Sequence, residues 1–214
     1  PVGLHSFVFN TRRDIFSDIR VRKALSLVFD FDRLNKMLYH SMYTRTQSFF
    51  DHTELMPRGQ PSAAELKILK QYHDLNPAVY ASAFKSASHS TLSDKRKNLE
   101  EASKLLRAAG YETKNGLLFH KDTGKPLTFE LVLPNREFVK AAEEFARGLK
   151  RIGVHISIKV LDEAQYQRRK VDFDFDMIYH FWLGTRSPGN ELINYISSQA
   201  ADIHGSRNYP GIRN

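Results

Sequence analysis

The chain has 214 residues, 41% of them apolar, and carries 32 lysines and arginines against 24 aspartates and glutamates for a formal charge of +8. That length buries one sizeable core, or one core with an appended subdomain, and a single domain over residues 1–214 is the simpler expectation. No uninterrupted apolar run reaches the roughly 18 residues of a membrane span, and the absence of cysteine fits an oxidising compartment without a disulfide as well as it fits a reducing one.

Leu4 to Asn10 is apolar enough for a strand buried on both faces. Ser17 or Asp18 then caps a helix whose Val21, Ala24, Leu25 and Val28 share one side at helical spacing. Asp30-Phe31-Asp32 reads as a break and a second cap, so Arg33 to Leu38 forms a short helix before the polar stretch Tyr39 to Pro61. Within that stretch Tyr43, Arg45, Gln47, Phe49, Phe50 and His52 follow neither helical nor strand periodicity, which predicts a long loop of the kind that carries function.

Ser62-Ala63-Ala64-Glu65 is a capping box for a helix bearing Leu66, Leu69 and Tyr72, whereas Leu75 to Thr91 is Ala- and Ser-rich without a clear period. Ser93 to Ala109 predicts a helix with Leu99, Ala102, Leu105, Leu106 and Ala109 inward and Gly110 in the C-terminal capping position. Leu117 to His120 and Leu127 to Leu133 flank the turn-rich Lys121-Asp122-Thr123-Gly124-Lys125, which predicts that these two runs pair as a hairpin. Phe138, Ala142, Phe145, Leu149 and Ile152 stripe a long helix ended by Gly153. Val154, Ile156, Ile158 and Val160 alternate with polar residues as a strand with one buried face. A short helix around Tyr166 leads to a last strand, Phe175 to Trp182.

Strand, helix, strand with short links implies a right-handed crossover and parallel pairing, and the hairpin adds an antiparallel pair. The expected fold class is therefore α/β, a mixed sheet covered by helices. Ligands in such sheets bind beyond the carboxyl ends of strands. That points to the segment after Phe181, where Trp182 is followed by the turn Gly184 to Gly189 and a helix with Asn190 near its N-terminus.

Nine histidines are present, but no His-Glu-x-x-His, Cys/His ligand set or Gly-x-Ser-x-Gly occurs, and the turn at Gly184 lacks the Gly-Lys-Ser/Thr ending of a phosphate loop. His40, Asp51, His52 and Glu54 meet no metal-ligand spacing. No metal, cofactor or catalytic residue is expected, and the chain is not expected to be an enzyme. The positive charge is compatible with nucleic acid, with an anionic surface, or with a piece parted from a compensating lobe. Its spread over Arg12-Arg13, Arg22-Lys23, Lys95-Arg96-Lys97, Lys150-Arg151 and Arg168-Arg169-Lys170, each near acidic residues, favours solvated faces, with a basic nucleic-acid-binding or scaffold domain as the alternative.

Phe7-Val8-Phe9-Asn10-Thr11-Arg12-Arg13, then Phe16, Asp18-Ile19-Arg20-Val21-Arg22-Lys23-Ala24-Leu25 and Phe29-Asp30, is similar to the segment that opens the second lobe of extracellular solute-binding proteins, family 5, of dipeptide and oligopeptide ABC transporters. The block from Leu131 to Trp182 repeats that family's order of a Leu-rich strand, an Ala-rich helix ending Leu-Lys-x-Ile-Gly-Val, a Tyr-x-x-Arg helix and an Asp-Met strand ending in Trp. Ser187-Pro188-Gly189-Asn190-Glu191-Leu192, Asn194-Tyr195, Ala200-Ala201-Asp202 and Gly205 to Tyr209 are similar to the branch that takes up oligopeptides and microcin-type peptide antibiotics.

The resemblance implies lobe II of a two-lobed periplasmic-binding-protein fold (type II, cluster C). It implies a periplasmic monomer that captures a peptide and presents it to membrane permease subunits, with no nucleic-acid partner. Pro1 and Asn214 accordingly read as cuts in a longer protein that carries a signal peptide. The ligand contacts it implies are Trp182, Arg186, Asn190, Tyr179, Arg45, Arg207 and Asn208. Family members hold the ligand's amino terminus with an Asp shortly after the Trp; Thr185 takes that place here, and Glu191 or Asp202 is the expected replacement.

Overall fold

The computed structural model describes residues 3–72, 75–184 and 188–213. Strand β1 (Gly3–Phe9) leads through the short helix α1 (Asp14–Ser17) to α2 (Ile19–Leu27), whose cap is Asp18, its side chain accepting from the backbone N–H of Arg20. Helix α3 (Phe31–Leu38) is capped by Asp30, which accepts from the Arg33 N–H. After the irregular stretch that follows Tyr39 come α4 (Ala63–Leu69), with both hydrogen bonds of the Ser62–Glu65 capping box, and one turn, α5 (Ala78–Ala81).

Helix α6 (Leu92–Ala108) starts from a second capping box, Thr91 with Asp94. It ends where Gly110 adopts φ 92°, a left-handed conformation that Gly takes without a Cβ clash. Then follow β2 (Tyr111–Lys114), β3 (Leu117–His120), β4 (Thr128–Leu133), a 3-10 turn (Arg136–Phe138), α7 (Val139–Lys150), β5 (His155–Val160), α8 (Glu163–Val171), β6 (Met177–Leu183) and α9 (Glu191–Ile196).

The main sheet has the order β1-β6-β4-β5. β4 runs parallel to β5, with Thr128 opposite His155 and Leu133 opposite Val160, and parallel to β6, with Leu131 opposite Met177. β1 runs the other way. The Asn10 N–H donates to the Asp176 carbonyl while the Ser6 hydroxyl donates to the His180 carbonyl, so one strand ascends as the other descends. The sheet is therefore mixed and, with its helices, α/β. Helix α7 is the crossover between β4 and β5 and buries Ala141, Ala142, Phe145 and Leu149. Phe16, Leu25, Leu106, Leu131, Leu149 and Met177 form a fully buried centre, each large side chain there stabilising the fold by about 1.5–3 kcal/mol.

The residues cluster into two units. The larger comprises His5–Tyr43, Ala87–Phe181 and Gly189–Asn214; the smaller comprises Pro1–Leu4, Thr44–Ser86 and Trp182–Pro188.

Three expectations are corrected. The hairpin is β2 with β3, Tyr111 opposite His120 and Lys114 opposite Leu117, closed by Asn115 and Gly116 at φ 53° and 80°. Two consecutive positive φ values define the tight turn whose twist suits a hairpin, and Asn-Gly is its strongest sequence signal. The Lys121–Lys125 turn does fold the chain back, with an antiparallel bridge of Phe119 with Pro126 and hydrogen bonds from the Leu127 N–H to the Leu118 carbonyl and from the His120 N–H to the Lys125 carbonyl, but the pairing stops at its start and β4 enters the main sheet.

β1 and β5 are the sheet's two edges. Only Val8 of β1 is buried, and no residue of β5 is, so neither strand has the burial expected of it. Helix α4 buries no residue, and Tyr72, expected on its apolar side, lies past its end and is exposed.

Candidate ligand-binding site

Because β4 and β6 are parallel neighbours, their carboxyl ends emerge on the same side of the sheet, the position that α/β sheets use for ligands. The chain leaving β4 is fixed by Asn135, whose side chain accepts from the Glu137 N–H, and it delivers Glu137 and Phe138 there. Phe138 stacks on Tyr179 of β6 with ring centroids 3.8 Å apart and planes 19° from parallel. His5 of β1 completes the group. Its Nδ1 lies 2.6 Å from the Tyr179 hydroxyl, and its ring is 4.6 Å from that of Phe181. Behind them the Tyr166 hydroxyl donates to the Tyr179 carbonyl, which holds the middle of β6 in place.

The end of α3 adds two more rings in the same unit. Tyr39 and Tyr43 meet edge to face at 4.9 Å. Asn35 sets Tyr43 by donating to its carbonyl at 2.6 Å and accepting from its N–H at 3.1 Å.

Electrostatics tie this group to Glu137. Burial raises the pKa of Tyr179 and of Tyr39, and the Glu137 charge raises both further. Burial lowers the pKa of His5, and Glu137 opposes that shift. Glu137 is itself exposed and has no ion-pair partner among the described residues. A carboxylate without a neutralising cation, beside aromatic rings whose faces attract positive charge, is suited to an ammonium group.

In the smaller unit, Trp182 is 4% exposed and meets Phe49 edge on, centroids 5.6 Å apart at 84°. Two irregular segments are laced beside it: Arg45 Nε donates to Ser86 Oγ at 3.4 Å, the Ser86 N–H donates to Gln47 Oε1 at 2.6 Å, and the Gln47 N–H donates to Asp51 at 2.9 Å. The side chains expected in a functional loop thus hold that loop's backbone.

The remaining expected contacts are dispersed. Tyr179 belongs to the carboxyl-end group above. Asn190 is exposed and stands before α9 without a side-chain cap. Arg207 is exposed; Asn208 is fully buried, its amide donating to the carbonyls of Ser197 and Ile212 and its oxygen accepting from the Ile212 N–H, so that every polar atom is used internally. Arg186 and Thr185 lie outside the described residues. Of the two candidates to replace the amine-binding Asp, Glu191 accepts from the Gly189 N–H and Asp202 pairs with Arg213 at 2.5 Å.

Glu137, His5, Tyr39 and Phe138 were not anticipated as site residues. The rule about strand carboxyl ends would have found the first and last of them at the exit of β4. Pairing β4 into a hairpin left its exit unread.

Several cations are paired with carboxylates. Arg169 and Lys159 both meet Glu130 at 2.5 Å, and Arg13 reaches Asp174 at 2.9 Å and Asp176 at 3.3 Å. Among the described residues, no three His, Asp or Glu side chains are grouped to hold a metal, and no helix is long and apolar enough to cross a membrane.

A helix-covered mixed sheet that presents aromatic rings at the carboxyl ends of its parallel strands is the kind of frame on which α/β proteins hold ligands. The chain belongs to the bacterial extracellular solute-binding proteins, family 5, whose Middle model matches residues 1–202.

It is 40% identical over 210 residues to protein y4wM of Sinorhizobium fredii, covering 98% of this chain and 32% of that one. It is 35% identical over 212 residues to the "Probable peptide-binding protein YejA" of Agrobacterium fabrum, covering 99% and 34%. In fold it is similar to the oligopeptide-binding protein AppA of Bacillus subtilis in complex with a nonapeptide, with a TM-score of 0.67, 18% identity and coverage of 100% of this chain and 36% of that one. The chain thus spans about one third of the length of the relatives it matches. The family is one of solute-binding proteins, extracellular and not enzymatic.

Proposed function

We propose that this chain is lobe II of the substrate-binding component of an ABC importer, one that captures oligopeptides or peptide-like compounds in the periplasm and delivers them to a membrane permease. The observation that carries the reading is the exposed Glu137 carboxylate beside the stacked Phe138 and Tyr179 at the carboxyl ends of β4 and β6. Membership of family 5 and the name of the YejA relative support it.

In this reading Glu137 faces the peptide's ammonium group, the role that the resemblance assigns to an Asp at the place of Thr185. Tyr179, Trp182 and Arg45 supply apolar wall and hydrogen-bonding capacity, and Arg186, Asn190 and Arg207 are further contacts. The protein works as a monomer and performs no reaction.

The test is calorimetric titration of the full-length protein with matched tri- to nonapeptides carrying free or acetylated amino termini. Free peptides are expected to bind, and Glu137→Gln to weaken them about 10- to 100-fold, the worth of a charge-assisted hydrogen bond, while acetylated peptides lose nothing further. No binding by any peptide would reject the importer reading; equal losses for both sets, or none, would reject the role of Glu137 alone.

A further inference from the structure

Between the C-terminal end of α2, the first half of α6 and the last half of α7 the larger unit has an open cleft of about 760 Å³. Its apolar lining comes from Leu27, Val28, Leu92 and Leu99. Leu92 is 86% exposed, and so stands in water at the first position of a helix whose next apolar neighbours are turned inward. The charged lining is one-sided. Arg33, Lys95, Arg96, Arg147 and Arg151 face two carboxylates, Asp30 and Glu144.

Both carboxylates are already used. Asp30 pairs with Lys95 at 2.7 Å, and Glu144 pairs with Arg33 at 3.4 Å and with Arg147. Arg96 and Arg151 are exposed, and neither guanidinium has an ion-pair or hydrogen-bond partner among the described residues. A surplus of positive charge over an apolar floor is the complement of a negatively charged segment that brings an apolar side chain.

We infer that this cleft is a docking surface for an acidic amphipathic segment of another protein, with carboxylates on Arg96 and Arg151 and an aliphatic side chain against Leu92 and Leu99. A small inorganic anion leaves the apolar floor exposed, and a flat anionic bilayer does not follow a concave wall. The inference is independent of what the carboxyl-end site binds.

The probe is a fluorescein-labelled helical peptide with leucines at spacings of three and four among glutamates, added to the full-length protein and followed by anisotropy. Polyglutamate of equal length and vesicles of phosphatidylglycerol serve as the competing chemistries. Binding of the leucine-containing peptide is expected to fall at least about tenfold in Arg96→Glu/Arg151→Glu and with rising salt. It is expected to fall severalfold in Leu92→Ser and to stay unchanged in Lys97→Glu, with circular dichroism melting confirming that each variant folds. The inference is overturned if the peptide does not bind, if the double variant binds it undiminished, or if polyglutamate or the vesicles bind as tightly as the peptide.

Discussion

Phe49 meets the indole of Trp182 edge to face, 5.6 Å between centroids, and Trp182 is the chain's sole tryptophan. Its fluorescence therefore reports one place without deconvolution. Replacing Phe49 with Ala should open the indole to water, shift the emission to longer wavelength, and cost about 1 kcal/mol, the worth of an aromatic pair. An unshifted spectrum would show that Phe49 does not cover the indole.

Gly148 lies within α7, where alanine ordinarily stabilises a helix by about 1 kcal/mol. Here a Cβ would stand 2.6 Å from the Val28 carbonyl oxygen, a backbone atom that cannot swing aside. Gly148→Ala is accordingly expected to destabilise by about 1–3 kcal/mol in urea unfolding. A gain in stability would mean that the α2–α3 connection yields freely.

Arg12 collects the C-terminal loop. Its guanidinium donates to the carbonyls of Ala201, Asn208 and Tyr209 and to Asn10 Oδ1, and it lies 3.9 Å from the centroid of the Phe173 ring. A lysine keeps the charge but loses the planar fork. Arg12→Lys should cost about 2–3 kcal/mol of unfolding free energy, with faster amide exchange concentrated between residues 200 and 212. Uniform exchange would assign the bond network no local role.

His180 has its pKa lowered to about 4, chiefly by burial, with the charges of Lys170 and Arg207 adding to the shift. The unfolded chain protonates this residue near 6.5 while the folded one stays neutral, so the unfolded state takes up more protons and stability falls as pH drops from about 6.5 towards 4. Between pH 7 and pH 5 the loss should be about 1–2 kcal/mol. His5, also lowered by burial, contributes in the same direction. His180→Phe should flatten the profile in that window; a profile as steep as that of the parent would place the titration elsewhere.

The reading of local structure succeeded where the determinants were local. Asp18, one of the two residues expected to do so, and Ser62 cap their helices, Asp30 of the expected Asp30–Asp32 break caps a helix that starts two residues earlier than read, and Gly110 and Gly153, at φ 92° and 79°, follow the helices they were expected to end. Each of these rests on hydrogen bonds or backbone angles within a few residues. The missed hairpin was legible too. Asn115-Gly116 carried its signal, and the longer turn at Lys121 was read in its place.

By itself the sequence determined the α/β class, the β4–α7–β5 crossover and the family, because helical stripes, caps and motif order are properties of neighbouring residues. Only the tertiary structure decided that β1 and β5 are edges, that β4 lies between β5 and β6 rather than in a hairpin, and that Gly148 must lack a side chain beneath Val28. It also decided that Phe138 stacks on Tyr179, 41 positions away by their numbers, with Glu137 alongside. Strand order and ring stacking arise between segments distant in the chain, so the burial and charge of each such residue depend on partners that no local window contains.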